Sequence, residues 1–105
     1  EPFEPENQPA VLALCRAVRE KFPEKTIWCY SGYTLETDIL AGRLGPKNIT
    51  MELLGQLDVL VDGEFHLEEK DPSLRFRGSR NQRIIDVKKT LETGETVLWD
   101  GRKEP

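Results

Sequence analysis

The sequence predicts an α/β fold with a mainly parallel sheet, formed as a single domain over residues 1–105. Helix and strand patterns alternate in the order helix, strand, helix, helix, strand, which implies right-handed crossover connections. The strand at residues 26–30 is apolar on both faces, as expected of a parallel strand that is covered on both sides. A second apolar strand, at residues 57–61, stops at a carboxylate and a glycine, and α/β proteins place ligand sites at such strand ends.

The first element is a helix that Asn7 can cap and that Pro23 stops. Its apolar side chains recur every three or four residues, which is the spacing of one buried helix face. The residues of this predicted face are Val11, Leu14, Cys15, Val18 and Phe22.

The strand at residues 26–30 leads into a tight turn at residues 31–34. In this turn Gly32 permits a close approach of the backbone. Thr34 can cap the next helix, which is short and covers residues 35–41.

A further short helix over residues 50–54, capped by Asn48 or Thr50, precedes the second strand. Side chains along that strand alternate between two faces, which places Asp62 at its carboxyl end. The two faces carry Leu57, Val59 and Val61 on one side and Asp58, Leu60 and Asp62 on the other.

The remaining chain predicts a charged loop and two short strands. Residues 64–71 are charged and predict a loop, and residues 96–99 predict the last strand before a tail at residues 100–105. Residues 84–87 fit either a strand or a helix, and we favour a strand.

Composition excludes several classes of function. The net charge of −4 and the pI near 5.1 argue against general affinity for nucleic acid or anionic membranes. No apolar run approaches the roughly 18 residues that span a bilayer, and no signal peptide is present, so a cytoplasmic location is predicted. Cys15 and Cys29 favour two reduced, buried thiols over a disulfide between them. Trp28 and Trp99 are expected to fill the core.

No local catalytic motif stands in the sequence, and the single histidine, His66, is expected to be a surface residue. Asp62 can accept hydrogen bonds from a ribose hydroxyl or an amine, or it can cap the turn at Gly63. Ser31 is placed in the same way at the end of the neighbouring strand, where a pure turn is the alternative.

Residues 75–83 form an arginine-rich segment that offers bidentate groups for carboxylates or phosphates. An ion-pair loop is the alternative, which we favour for Arg75 and Arg80. The arginines are Arg75, Arg77, Arg80 and Arg83, and the acidic neighbours are Glu68, Glu69 and Asp71. Asn81 and Gln82 lie beside a strand, where uncharged amides suit specific hydrogen bonding.

Four segments resemble, in order, the activating proteins of anaerobic ribonucleoside-triphosphate reductases, which are radical S-adenosylmethionine (SAM) enzymes. The segments are EPFEPEN at residues 1–7, YSGYT at 30–34, DVLVDGEF at 58–65 and LRFRGSRNQRIIDV at 74–87. The resemblance covers nearly the whole chain, and RGSRNQR is its most specific part. The first segment resembles the continuation of a Gly-Gly-Glu-Pro motif.

The resemblance implies a partial (β/α) barrel of the radical SAM type, which holds a [4Fe–4S] cluster and S-adenosylmethionine. It further implies that the reduced cluster cleaves this cofactor to methionine and a 5′-deoxyadenosyl radical. That radical removes a hydrogen from a glycine of the partner, the anaerobic ribonucleoside-triphosphate reductase, and leaves a glycyl radical.

Within the resemblance, Glu1, Ser31, Asp62 and Asn81 are the predicted cofactor-binding residues. Glu1 matches a motif that lies near the amino group of the cofactor. Ser31 and Asp62 match the ends of successive strands, and Asn81 belongs to the signature that continues through Gln82 and Arg83.

The sequence departs from the family at the cluster motif. Members carry CxxxCxxC near the N-terminus, and neither Cys15 nor Cys29 belongs to such a motif. The chain therefore resembles the C-terminal portion of the enzyme, which alone is expected to bind no cluster and to be inactive. No residue of this chain is predicted to be catalytic or to bind a metal.

Two further expectations follow from this departure. A non-catalytic α/β module that docks on a larger protein through the arginine-rich loop is the alternative function. An incomplete barrel also leaves one sheet edge uncovered, so the chain is expected to self-associate as a homo-oligomer.

Overall fold

The computed structural model describes residues 1–101 and shows a mixed α/β fold. Its regular elements are α1 (Gln8–Lys21), β1 (Trp28–Tyr30), a π-helix (Leu35–Ile39), α2 (Lys47–Gln56), β2 (Val59–Asp62), a 3-10 helix (Leu67–Glu69), β3 (Arg83–Asp86) and α3 (Val87–Thr93). The prediction of an α/β chain is confirmed.

The sheet within these residues has three strands in the order β1-β2-β3, and it is mixed. β1 and β2 are parallel, with Cys29 opposite Leu60, whereas β2 and β3 are antiparallel, with Leu60 opposite Ile85. The predicted mainly parallel sheet is therefore wrong at β3. A parallel return needs a crossover, usually through a helix, but residues 63–82 contain only one short 3-10 helix and fold back antiparallel. No barrel forms within residues 1–101.

Helices cover one face of this sheet. Cys29, Leu60 and Ile85 share that face and belong to a single core cluster with residues of α1 and α2. The core residues contributed by the two helices are Leu12, Cys15, Leu53 and Leu54. Val59 and Val61 are also buried but lie on the opposite face of β2. The expected alternation is confirmed for Val59–Asp62, but Leu57 precedes β2 and belongs to the core cluster with Leu60, so its predicted place beside Val59 and Val61 is wrong.

The buried face of α1 is rotated from the predicted one. Gln8, Leu12 and Cys15 are its buried residues, whereas Leu14 is 64% exposed and Phe22 lies at the helix end, partly in solvent. Gln8 escaped prediction because it is polar, although its amide is fully paired inside the protein.

The predicted helix caps are not made by the predicted side chains. Asn7 and Thr34 occupy N-cap positions but form no side-chain cap hydrogen bond. Asn48 and Thr50 lie inside α2, which begins earlier than predicted, after Pro46. The Thr50 hydroxyl donates instead to the side chain of Gln8, 2.8 Å away.

Trp28 and Trp99 are half-buried, so the prediction that they fill the core is wrong. Each contacts Phe76, with ring centroids 5.0 and 5.7 Å apart, and they contact each other at 5.0 Å. The three rings form an aromatic cluster on the sheet face opposite the helices, where Trp28 pairs with Val59.

The C-terminal elements are less regular than predicted. The predicted strand at residues 96–99 forms only an isolated bridge between Ile85 and Leu98, although Trp99 N–H also donates to Ile84 O at 2.9 Å. Residues 102–105 of the predicted tail lie outside the described residues. Within residues 1–101, every helix is too short or too polar to cross a membrane.

Candidate functional site

An acidic pocket lies at the carboxyl ends of the parallel strands β1 and β2, where the chain turns out of the sheet. Its volume is about 430 Å³. The pocket is lined by Glu1, Glu4, Gly32, Tyr33, Asp38 and Glu64. Because four of these six residues have carboxylate side chains and none has a basic side chain, the pocket favours a cationic ligand and disfavours an anionic one.

The carboxylate of Glu1, which lines this pocket, is held by three neighbours. Gly32 N–H donates to Oε1 at 2.7 Å, and Phe3 N–H donates to Oε2 at 2.8 Å. The buried Ser31 hydroxyl lies 3.0 and 3.1 Å from the two oxygens. The structure therefore brings together two of the predicted cofactor-binding residues, Glu1 and Ser31.

A buried polar network holds the segment that carries Glu1. Gln8 Nε2 donates to the carbonyls of Phe3 and Leu44, both at 2.7 Å, while its Oε1 accepts from Thr50. All polar atoms of the Gln8 amide group thus have partners, and Phe3 itself is fully buried. This arrangement anchors residues 1–7 against α2 and sets the position of the Glu1 carboxylate.

Tyr33 and Asp38 shape the other side of the pocket. The Tyr33 hydroxyl donates to the Glu4 carboxylate at 2.5 Å, and this hydrogen bond raises the pKa of Tyr33 to about 12. The Asp38 carboxylate accepts from Thr34 N–H at 2.9 Å. Tyr33 is therefore a neutral hydrogen-bonding group at physiological pH.

Asp62, a third predicted cofactor-binding residue, lies at the end of β2 but does not line the pocket. It is 1% exposed, and its oxygens accept from Leu35 N–H at 2.8 Å and from Arg83 at 2.5 and 3.0 Å. Arg83 also pairs with Glu36, and both carboxylates raise the pKa of Arg83. In this arrangement Asp62 caps the turn after β1 and joins β2 to β3.

Asn81, the fourth predicted residue, supports the pocket indirectly. Its Nδ2 donates to the carbonyl of Glu64 at 2.7 Å, and its Oδ1 accepts from Ser79 at 2.6 Å. Gln82 donates to Gly63 O at 3.0 Å. The two amides therefore make the specific hydrogen bonds expected of them, but with the loop that carries Glu64.

Arg75, Arg77 and Arg80 lie outside the pocket. Among the described residues, none of them has a carboxylate within 4.0 Å, whereas Arg16, Arg19 and Arg83 do. The ion-pair loop that we favoured for Arg75 and Arg80 therefore has no direct ion pair, although the charge of Arg80 helps to lower the pKa of Asp71 after the hydrogen bonds from Ser73. The nearby acids are engaged elsewhere, since Glu69 pairs with His66 and Asp71 accepts from Ser73.

His66 lies at the surface, as predicted, with its side chain 40% exposed. The Glu69 carboxylate, 2.8 Å away, raises the pKa of His66. His66, Glu68 and Glu69 each have a potential metal-ligating atom within 4.8 Å of those of the other two. The hydrogen bond between His66 and Glu69 accounts for this grouping.

The cysteines of this chain do not fit an iron–sulfur cluster. A [4Fe–4S] cluster is held by cysteine thiolates, commonly four, and the sequence contains only Cys15 and Cys29. Both are free and buried, and burial raises the pKa of both thiols, that of Cys29 to about 12. The prediction of two reduced, buried thiols is confirmed.

Four pocket residues escaped the sequence analysis: Glu4, Tyr33, Asp38 and Glu64. Tyr33 and Glu64 could have been found from their positions, because each lies two or three residues after the carboxyl end of a strand. Glu4 and Asp38 gave no such signal, since the fold of residues 1–7 and the π-helix bring them to the pocket.

Comparison with known proteins gives one matching family and relatives that share one name. Residues 1–85 match the family described as 4Fe-4S single cluster domain. Curated relatives named anaerobic ribonucleoside-triphosphate reductase-activating protein include those of Vibrio cholerae (44% identity over 85 residues), Escherichia coli strain K12 (39% over 82) and Enterobacteria phage T4 (35% over 85). These matches cover 80%, 78% and 80% of this chain and 49%, 48% and 47% of the respective relatives. The chain thus spans about half the length of the curated relatives that it matches. No solved structure matches it.

Proposed function

This chain belongs to the 4Fe-4S single cluster domain family, and we propose that it is part of an activating protein for an anaerobic ribonucleoside-triphosphate reductase. In this proposal the reductase is the partner of the whole protein, and the reaction takes place in the cytoplasm. The whole protein is an oxidoreductase of the radical SAM type that forms a glycyl radical on the reductase. The sequence identity between this chain and relatives of that name supports the proposal.

The contribution of this chain is to bind the α-ammonium group of S-adenosylmethionine rather than the cluster. With two buried cysteines, the chain lacks a ligand set for a cluster, so alone it is proposed to be inactive. The ligands belong to other residues of the whole protein, in which the sheet described here forms one wall of a (β/α) barrel.

The acidic pocket is the observation that carries this assignment. The α-ammonium group of S-adenosylmethionine is a cation with three donors, and the Glu1 carboxylate is an acceptor held in place by Gly32, Ser31 and Phe3. Fixed carboxylates bind such a group without losing side-chain freedom on binding. The pocket volume of about 430 Å³ lies within the range of small-molecule sites.

The test is an NMR titration of this chain with S-adenosylmethionine, with methionine, and with 5′-deoxy-5′-methylthioadenosine, which lacks the ammonium group. We expect the amide resonances of Gly32 and Tyr33 to shift with the first two compounds and not with the third. In Glu1→Gln the affinity measured from these shifts should fall about tenfold or more, because one full negative charge is lost next to the ammonium group. Glu52→Gln, which removes a surface carboxylate on α2, is the matched control and should bind as wild type.

Equal shifts with the compound that lacks an ammonium group would contradict the assignment of the pocket, as would unchanged binding in Glu1→Gln. Anaerobic reconstitution with iron and sulfide should also leave this chain without the visible absorbance of a cluster. A cluster on this chain alone would contradict the proposal that other residues of the whole protein hold the cluster.

A further inference from the structure

A second surface, which shares no lining residue with the acidic pocket, combines cationic and aromatic side chains. A cavity of about 200 Å³ lies beside the aromatic cluster and is lined by Arg77, Arg83, Ile84, Leu98 and Trp99. Leu98 is 60% exposed at its rim, and Arg75 lies over the ring of Phe76, with its guanidinium carbon 5.0 Å from the centroid. We call Arg75, Phe76, Arg77, Leu98 and Trp99 the arginine–aromatic surface.

The loop that presents this surface is held by its own hydrogen bonds. Gln82 Oε1 accepts from the N–H groups of Gly78 and Ser79 at 2.9 and 3.1 Å. Arg77 donates to the carbonyls of Arg80 and Gln82 at 3.1 and 2.7 Å. Because these hydrogen bonds already order the loop, binding of a partner would lose little conformational entropy from it.

The charge of the surface contrasts with that of the whole chain. The chain carries a net charge of −4, yet the cationic groups of Arg75 and Arg77 have no carboxylate within 4.0 Å among the described residues. Exposed arginine next to aromatic and aliphatic side chains is the composition typical of protein interface hot spots. Surplus positive charge selects a negatively charged partner.

Phe76 adds a conformational observation. It is the only non-glycine residue among the described residues with a positive φ, at 66°. A bulky residue in this conformation is strained, and such strain clusters at binding and switch sites. With this backbone conformation the Phe76 ring packs against both Trp28 and Trp99 and remains 41% exposed.

We propose that the arginine–aromatic surface docks an acidic peptide segment of a protein partner. One apolar side chain of the segment enters the cavity between Leu98 and Trp99, and flanking carboxylates pair with Arg75 and Arg77. The proposal depends on neither the acidic pocket nor the radical chemistry, because it uses none of their residues.

The test is a titration of this chain with the synthetic peptide EDEFEDE, followed by tryptophan fluorescence, since Trp99 lines the cavity and the peptide contains no tryptophan. We expect saturable binding that is at least about tenfold tighter than that of KRKFKRK or of EDESEDE. Arg75→Glu should weaken binding of EDEFEDE by a similar factor. Arg75 donates no hydrogen bond to the loop, so this variant should fold, and an unchanged thermal midpoint would verify that.

Arg43→Glu is the matched control, because it changes the net charge equally at an exposed position outside this surface, and it should bind EDEFEDE as wild type. Leu98→Ser gives a second, independent variant and should also weaken binding. Equal affinity for the acidic and basic peptides would overturn the proposal. Tighter binding of an oligothymidylate than of EDEFEDE would overturn it as well, in favour of a nucleic-acid surface.

Discussion

Asp62 shows how one side chain can meet several structural needs at a strand end. Its two oxygens satisfy a backbone N–H at the start of the π-helix and two nitrogens of Arg83 at the start of β3. The sequence analysis placed this carboxylate at the carboxyl end of an apolar strand, next to a glycine. What the sequence could not indicate was its partner, because Arg83 and three other arginines lie in one segment and any of them could reach a carboxylate.

Asp62→Asn should lower the free energy of unfolding by about 2 kcal/mol, because it leaves the half-buried Arg83 without its buried anion. Urea denaturation followed by circular dichroism measures this change. Glu52→Gln removes an acid whose ion pair with Arg16 is exposed, and it should cost less than about 0.5 kcal/mol. Equal effects of the two substitutions would argue against a structural role of the Asp62–Arg83 pair.

Glu36 extends the same pair to the surface and makes it sensitive to acid. Its hydrogen bonds to Arg83 and Thr96 lower the pKa of Glu36 from 4.5 to about 2. Because the pKa is lower in the folded state, the ionised carboxylate stabilises the fold above about pH 4.5, and this contribution disappears as the pH falls towards 2. The difference in urea midpoint between wild type and Glu36→Gln should therefore be constant from pH 7 to 5 and shrink between pH 4.5 and 2. A difference that is independent of pH would contradict this assignment.

At the scale of elements, the connection between β2 and β3 is the loop that the sequence predicted, but it returns the chain antiparallel and not parallel. Residues 63–82 were predicted to be a charged loop followed by an arginine-rich segment, and they form a loop stabilised by side-chain to backbone hydrogen bonds. The loop presents Phe76 to the two tryptophans. No local pattern signals a left-handed phenylalanine, since the conformation is imposed by contacts that join residues far apart in sequence.

Phe76→Gly and Phe76→Ala should separate strain from packing at this position. Both variants lose the ring contacts, but only alanine keeps the cost of a Cβ atom at positive φ, which is about 1 kcal/mol. Phe76→Gly should therefore be more stable than Phe76→Ala by about 1 kcal/mol, the reverse of the usual order. Urea unfolding of the two variants measures this difference, and an alanine variant as stable as the glycine variant would contradict it.

Helices and strands differ in how far their sequences predicted them. α1, β1, β2 and β3 were located within a few residues, because apolar periodicity and the breaking residues reflect local geometry. The direction of β3 and the half-exposed position of Trp28 depend on how distant segments pack, which periodicity does not contain. Of the residues that line the acidic pocket, Glu1 was identified in advance from the family resemblance and Gly32 from the turn after the first strand, together with Ser31, the hydrogen-bond partner of Glu1.

For the whole molecule, the most consequential feature is the edge of β1 that no other strand of residues 1–101 covers. One edge of β1 pairs with β2, where Ile27 O and Ser31 N form hydrogen bonds. Because backbone groups of successive residues point to alternate sides of a strand, those of Trp28 and Tyr30 point towards the opposite, open edge. An apolar cavity of about 330 Å³, lined partly by Leu14 and Val18 of α1, lies along the same edge. An edge strand flanked by exposed apolar side chains is a template for pairing with another strand.

We therefore expect this chain to self-associate through β1 as its concentration rises. Tyr30→Lys places a charge on the open edge without disturbing the bonds of β1 to β2, so it should shift the equilibrium towards monomer by about tenfold or more. Leu67→Lys, at a 71% exposed apolar residue outside this edge, is the matched control and should associate as wild type. Sedimentation equilibrium over a wide concentration range measures both. A wild-type chain that stays monomeric up to millimolar concentration would show that the twist and shortness of β1 already protect its edge, and that the apolar cavity alone does not drive association.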